Sequence, residues 1–307
     1  MSKFSDEIRK NFRENDEKRD VGLTVSESIE AYVDIIYGDD GFWQSLDVYR
    51  PKGQQGALPV IVSVHGGGWV YGDKEIYRHY CMSLAEKGFA VVNFTYRLAP
   101  EFKFPTPVCD TIKVFQWIKA NKETYGMDIS NVFAVGDSAG ANILCNFIGI
   151  LTNNTYRDKM NSIYGVQYPD DIYTKSQYEA VVEEKPDAMV IKAVGLNCGA
   201  YYIDDSLMVY MAEYITKGDE NAMELLDISP IVTKDFPAAY IMTGTEDFLK
   251  YQPEKMINSL TQNMVPFIFR MYGDAKNRLT HVFHCDIKTK DAKLCNKDQC
   301  EFFKSFI

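Results

Sequence analysis

The sequence predicts an α/β fold: a mostly parallel central sheet flanked by helices, with a helical cap. Three observations lead there. Apolar runs at residues 60–64, 89–94 and 238–243 have the length of buried strands. They alternate with segments of helical period, as in residues 106–119, where Val108, Ile112, Phe115 and Ile118 recur at helix spacing. At 307 residues the chain can bury one sizeable core, so a single domain over 1–307 with an added cap accounts for its length.

Taken in order, residues 5–36 read as a pair of charged amphipathic helices, with Ile8, Phe12, Val21, Val25, Ile29 and Val33 as apolar contacts. Residues 43–49 alternate as a strand. Pro59-Val60-Ile61-Val62-Ser63-Val64 reads as a buried strand and runs into His65-Gly66-Gly67-Gly68-Trp69. Consecutive glycines after a strand leave backbone N–H groups bare and let a ligand come close, which suits an oxyanion. No Gly-Lys-Ser/Thr ending follows, which argues against a phosphate-cradling loop. The strand at 89–94 and the helix at 106–119 come next.

Residues 132–135 form another apolar run, and 141–150 another helical pattern. Between them stands Gly136-Asp137-Ser138-Ala139-Gly140. G-x-S-x-G in a strand–turn–helix context marks a nucleophilic serine on a sharp turn. The flanking glycines are needed where side chains would collide, and the helix N-terminus favours negative charge beside the hydroxyl. Residues 153–184 are polar and tyrosine-rich, too long for a structureless loop, so helices are expected in this excursion (about 152–188). Core resumes at 191–197. Residues 201–226, with Leu207, Met208, Tyr210, Met211 and Tyr214, read as cap helix.

A nucleophilic serine needs a base and an orienting acid, which on this fold follow it in the order acid, then histidine. Residues 238–243 form a strand ending in Gly244-Thr245-Glu246-Asp247-Phe248-Leu249, which offers Asp247, with Glu246 as its rival and Asp274 too near the histidines in sequence. Of the four histidines, His65 and His79 precede the serine, leaving His281 and His284 after the strand-like 266–272.

Composition excludes other classes. A formal net charge of −10 opposes nucleic-acid binding and gives no attraction to anionic membranes. The N-terminus lacks the apolar core of a signal peptide, and no stretch reaches the ~20 apolar residues of a membrane span, so a cytoplasmic location is expected. Seven irregularly spaced cysteines read as reduced thiols. The spacing of Cys285, Cys295 and Cys300 near His284 matches no zinc pattern, so neither a metal nor an organic cofactor is expected.

The chain resembles the hormone-sensitive lipase-like family of α/β-hydrolase carboxylesterases, in its bacterial branch. The resemblance is carried by residues 46–51, His65 to Trp69, Tyr96-Arg97-Leu98-Ala99-Pro100-Glu101, Phe104-Pro105, the Ser138 elbow, the Asp247 block and His281-Val282-Phe283. It implies a triad of Ser138, Asp247 and His281, with oxyanion donors on the backbone of Gly66, Gly67 and Ala139 and a structural His65. It also implies a cap formed by about 1–36 and 200–228. Trp69 and Tyr71, with the tyrosines of the cap, are expected to line a modest substrate pocket.

The expected activity is that of a serine carboxylesterase acting on short-chain acyl esters, acetyl to hexanoyl, through an acyl-enzyme. The rivals are an amidase or peptidase on the same triad and a non-catalytic small-molecule receptor on a hydrolase scaffold. Expected partners are the small-molecule ester and, through exposed edge strands, a homodimer mate.

Overall fold

Why the strands lie where they do follows from their side chains. Leu58–Val64 (β3), Ala90–Phe94 (β4), Met127–Asp137 (β5), Met189–Asn197 (β7) and Ala238–Gly244 (β8) are buried along nearly their whole length. Runs apolar on both faces suit the middle of a parallel sheet covered by helices on either side. The computed structural model describes residues 3–181, 183–203 and 213–307. Its strands form one sheet in the order β1-β2-β4-β3-β5-β7-β8-β9, where β1 is Ile29–Ile36, β2 Ser45–Pro51 and β9 Phe267–Tyr272. Only the β1·β2 and β2·β4 pairs are antiparallel; the other neighbours run parallel.

Helices at Lys74–Ala85 (α2), Thr106–Tyr125 (α3) and Ala139–Thr152 (α4) flank this sheet, and Lys3–Asp20 (α1) packs against α2. Every residue of α4 is buried, which matches its nearly all-apolar sequence. α3 ends at Gly126, whose φ of 55° gives the left-handed cap that glycine adopts freely. The C-terminal helix, Lys290–Lys304, stacks Phe303 on Phe133 at 4.8 Å and sends Gln299 to Asn197 Oδ1 at 2.7 Å. None of the helices is long and apolar enough to cross a membrane, among the described residues.

One expectation changes. Residues 21–36 are not helical: α1 stops at Asp20, and Ile29–Ile36 pairs antiparallel with β2. The four-residue spacing of Val21, Val25 and Val33 marks no buried face, since these side chains are 71%, 53% and 50% exposed. A neighbouring strand with free backbone groups decides the structure there, over local period. Of the cap helix read at 201–226, residues 204–212, with Leu207, Met208, Tyr210 and Met211, lie outside the described residues. The described part is helical at 213–216 and at Glu220–Leu225.

The tyrosine-rich excursion does contain helix, Asn154–Tyr164, followed by a short strand, Ile172–Thr174 (β6), that pairs with β7. It packs toward the Glu220–Leu225 helix: Tyr164 Oη donates to Asp219 Oδ2 at 2.9 Å, and Lys159 meets Glu224 at 2.8 Å.

The turn between β5 and α4 is pressed against the end of β3. A Cβ on Gly140 would lie 2.1 Å from Val64 O and 2.5 Å from His65 O, whereas one on Gly149 would first meet the end of the Ile231 side chain at 2.8 Å. Backbone cannot yield as a side-chain methyl can. Gly140→Ala is therefore expected to lower Tm by about 5 °C or more, and Gly149→Ala by clearly less, in paired thermal melts. Equal losses would mean that the elbow tolerates a side chain.

Candidate active site

Ser138 stands between β5 and α4 with φ 51° and ψ −121°, a backbone conformation uncommon outside glycine. The surroundings hold it there. Its N–H donates to Asn197 O at 3.1 Å, and its carbonyl accepts from Ala200 N. A Cβ on Gly136 would sit 2.6 Å from Gly140 O, so both glycines of the elbow are fixed by close backbone approach. The helix that starts at Ala139 leaves its first N–H groups beside the serine.

His281 and Asp247 meet from two different loops. Nδ1 of His281 lies 2.7 Å from Asp247 Oδ1, so Nδ1 carries the proton and Nε2 is left as an acceptor. Asp247 is held from several sides: its Oδ1 also accepts from Leu249 N at 2.8 Å, and its Oδ2 accepts from Thr243 Oγ1 at 2.9 Å. Burial pushes its carboxyl up, but hydrogen bonds and charge from His281, with the Leu249 N–H and the Cys198 thiol, outweigh that and hold it below the ordinary carboxylate range.

The rival residues are engaged elsewhere. His284 is fully buried against Tyr80, and burial pulls it down to about 3. Glu246 lies 4.0 Å from Arg278 at the surface, and Asp274 accepts from Lys276 N and Asn277 N.

Ser138, His281, Gly66, Gly67, Gly68 and Tyr71 share the wall of a cavity of about 520 Å³. Helix α1 supplies more of that wall through Phe12, Asn15, Asp16 and Arg19. Tyr71 ties the helix down: its hydroxyl donates to Asp16 Oδ2 at 2.7 Å, and its ring meets Phe12 edge-on at 5.6 Å. Of the N-terminal segment expected in the cap, α1 alone lines this cavity among the described residues. None of the described residues of 200–228 lines it. A second cavity, about 600 Å³, also touches Tyr71, but its cations are paired, Arg9 with Glu101 and Arg13 with Asp73, and neither Ser138 nor His281 lines it.

Two expected site residues are placed differently. Trp69 is completely buried at φ 61° and does not line the cavity: the turn closed by Val70 N and Tyr71 N on Gly67 O swings it into the core. The N–H of Gly66 is already used, donating to Tyr77 Oη at 3.0 Å. Among the described residues no hydrogen bond engages the N–H groups of the other two loop glycines, Gly67 and Gly68, at φ 117° and 59°. His65 is buried, pulled down to about 4 by burial; its Nδ1 donates to Gly66 O at 2.8 Å and its ring stacks on Tyr96 at 4.0 Å.

Sequence reasoning missed Gly68, Phe248, Tyr77 and Cys198. Phe248 packs on His281 at 4.4 Å, and its place beside Asp247 in the chain was a usable signal. Tyr77 and Cys198 arrive from remote segments, and no local pattern marks them. The Cys198 thiol, pushed up by burial and by Asp247, stays protonated and can donate to that carboxylate.

The sequence model of a family described as alpha/beta hydrolase fold matches residues 61–285. A versiconal hemiacetal acetate esterase of Dothistroma septosporum is 30% identical over 240 residues, covering 76% of this chain and 70% of that protein. Esterase LipC of Mycobacterium tuberculosis is 28% identical over 226 residues, covering 69% of this chain but only 50% of LipC. Among solved structures, esterase B of Lactobacillus rhamnosis, inhibited by a tributyrin phosphonate, superposes with a TM-score of 0.84 at 21% identity, covering 100% of this chain and 96% of the other.

Asp137, beside the serine, is fully buried, and burial pushes its carboxyl up to about 7, against a hydrogen bond from Tyr77 that lowers it. The folded protein then binds more protons than the unfolded chain between pH ~4 and ~7, so this group's contribution to stability is full at low pH and is lost as pH rises to ~7. Asparagine does not titrate. In urea unfolding, Asp137→Asn should therefore gain on the wild type by about 2–3 kcal/mol from pH 5 to pH 8. A constant difference would show that Asp137 titrates normally.

Proposed function

The chain belongs to the alpha/beta hydrolase fold family, in its hormone-sensitive lipase-like branch, and on that premise we propose that it is a serine carboxylesterase with Ser138, Asp247 and His281 as its triad. The observation that carries this reading is the convergence on one cavity of a positive-φ serine elbow and a histidine whose Nδ1 is bound to a buried carboxylate.

In this mechanism His281 Nε2 takes the proton from Ser138 Oγ as the oxygen attacks the ester carbonyl. Asp247 keeps the imidazole in the right tautomer and stabilises its cation. The oxyanion is held by the N–H groups of Gly67, Gly68 and Ala139, with Gly66 replaced in that role because its N–H is bound to Tyr77. The imidazolium returns its proton to the leaving alcohol, and water, deprotonated by the same nitrogen, releases the acid. Substrates are short acyl esters, acetyl to hexanoyl. A cavity of about 520 Å³ walled by Phe12, Tyr71, Phe248 and Phe283 suits such molecules, and one relative is named for an acetate ester.

Hydrolysis of p-nitrophenyl esters from acetyl to dodecanoyl tests this. Turnover should peak at six carbons or fewer, fall by about 10⁴-fold or more in Ser138→Ala, and fall by about 10²–10⁴-fold in Asp247→Asn. Serine-independent turnover, or none on any ester, would sink the proposal.

A further inference from the structure

A chain of hydrogen bonds runs from the cavity wall at Gly66 to two residues beneath it, Tyr77 and Asp137, that do not line the cavity. The N–H of Gly66, on the oxyanion loop, donates to Tyr77 Oη at 3.0 Å, and the Tyr77 hydroxyl donates to Asp137 Oδ2 at 2.6 Å. Asp137 immediately precedes Ser138 in the chain. The three residues come from three separate elements: the loop after β3, helix α2 and the end of β5. Tyr77 is 5% exposed and Asp137 2%, so neither hydrogen bond competes with bulk water. The packing leaves no slack: a Cβ on Gly66 would lie 2.4 Å from Asp137 Oδ2 and 3.1 Å from Tyr77 Oη.

We propose that Tyr77 and Asp137 are positioning residues of the hydrolase, tethering the oxyanion loop to the nucleophile elbow so that the Gly67 and Gly68 donors and Ser138 Oγ are held in one frame. This deepens the esterase reading and rests on it. The Asp137 carboxyl orients the Tyr77 proton, which turns an Oη lone pair toward Gly66 N–H. The anchored N–H fixes the His65–Gly66 peptide plane, one residue before the chain turns at Gly67 with φ 117°. Oxyanion stabilisation depends on donors already standing where the charge develops, so a loosened loop costs turnover more than binding.

Initial-rate kinetics on p-nitrophenyl acetate, with kcat expressed per active serine titrated by an organophosphonate, provide the test. Normalising to titrated serine keeps partial unfolding from imitating the effect. Tyr77→Phe keeps the ring and removes the tether. It is expected to lower kcat by about 10–100-fold with KM within about 3-fold, less than the 10²–10³-fold typical of losing an oxyanion donor itself. Asp137→Ala should do the same, and Asp137→Asn, which keeps an acceptor oxygen for Tyr77, should recover most of that loss. The Tyr77→Phe/Asp137→Ala double variant should be no slower than the worse single, as for two members of one chain.

Tyr77→Phe with kcat within 2-fold of wild type, a rise in KM without a fall in kcat, or additive losses in the double variant would overturn the proposal. If Tyr77→Phe does not fold, Asp137→Ala against Asp137→Asn decides: equal kcat values overturn it. A wild type that fails to hydrolyse the ester is a separate result, and sinks the esterase reading instead.

Discussion

Everything at the site depends on how closely two backbones approach. The turn after β5 lies against the end of β3 with Gly140 so near Val64 O and His65 O that no Cβ fits. This contact sets the elbow and the glycine loop side by side at the carboxyl edge of the parallel sheet, where α/β folds place their ligands. The serine conformation follows from it. The sheet neighbour on the other side, β7, contributes Asn197 O to hold the Ser138 N–H, so the uncommon φ is imposed by three strands together. Such strain persists only where the surroundings over-determine it.

Charge inside the site is distributed so that each buried ionisable group has a different solution. Burial pushes Asp247 up, but the hydrogen bond and charge of His281, with the Leu249 N–H and the Cys198 thiol, outweigh it and keep the carboxylate anionic. Asp137, next to Ser138 in the chain, has one side-chain donor among the described residues, Tyr77, and burial dominates. His65 and His284 are buried with no carboxylate partner among the described residues, and burial pulls both toward the neutral form. Burial, hydrogen bonding and neighbouring charge thus drive Asp247 and Asp137 in opposite directions within one region.

The N-terminal helix adds a wall that the sheet could not provide. Arg9 reaches back to Val70 O, Ala99 O and Glu101, and Arg19 reaches Ile76 O and Asp16. These contacts bind a strongly charged helix across the mouth of the glycine loop. Tyr71, expected only as a lining residue, also serves as the hinge of this contact through Asp16 and Phe12. Trp69, two residues earlier, turns the other way into the core.

The sequence by itself determined the alternation of strands and helices, the glycine elbow, the glycine loop and the order of acid before histidine. Each of these is a local pattern: a run length, a period, or a residue type demanded by a turn within a few positions. Glu246 against Asp247, and His281 against His284, were open on the residues alone, because neighbours in sequence share composition but face different partners. Only tertiary structure decided that Gly66 spends its N–H on Tyr77, that Cys198 stands behind Asp247, that Trp69 is core, and that residues 29–36 join the sheet edge. Each of those outcomes depends on a group brought from a distant segment, and hydrogen-bond satisfaction and close packing are properties of such pairs, which no window along the chain contains.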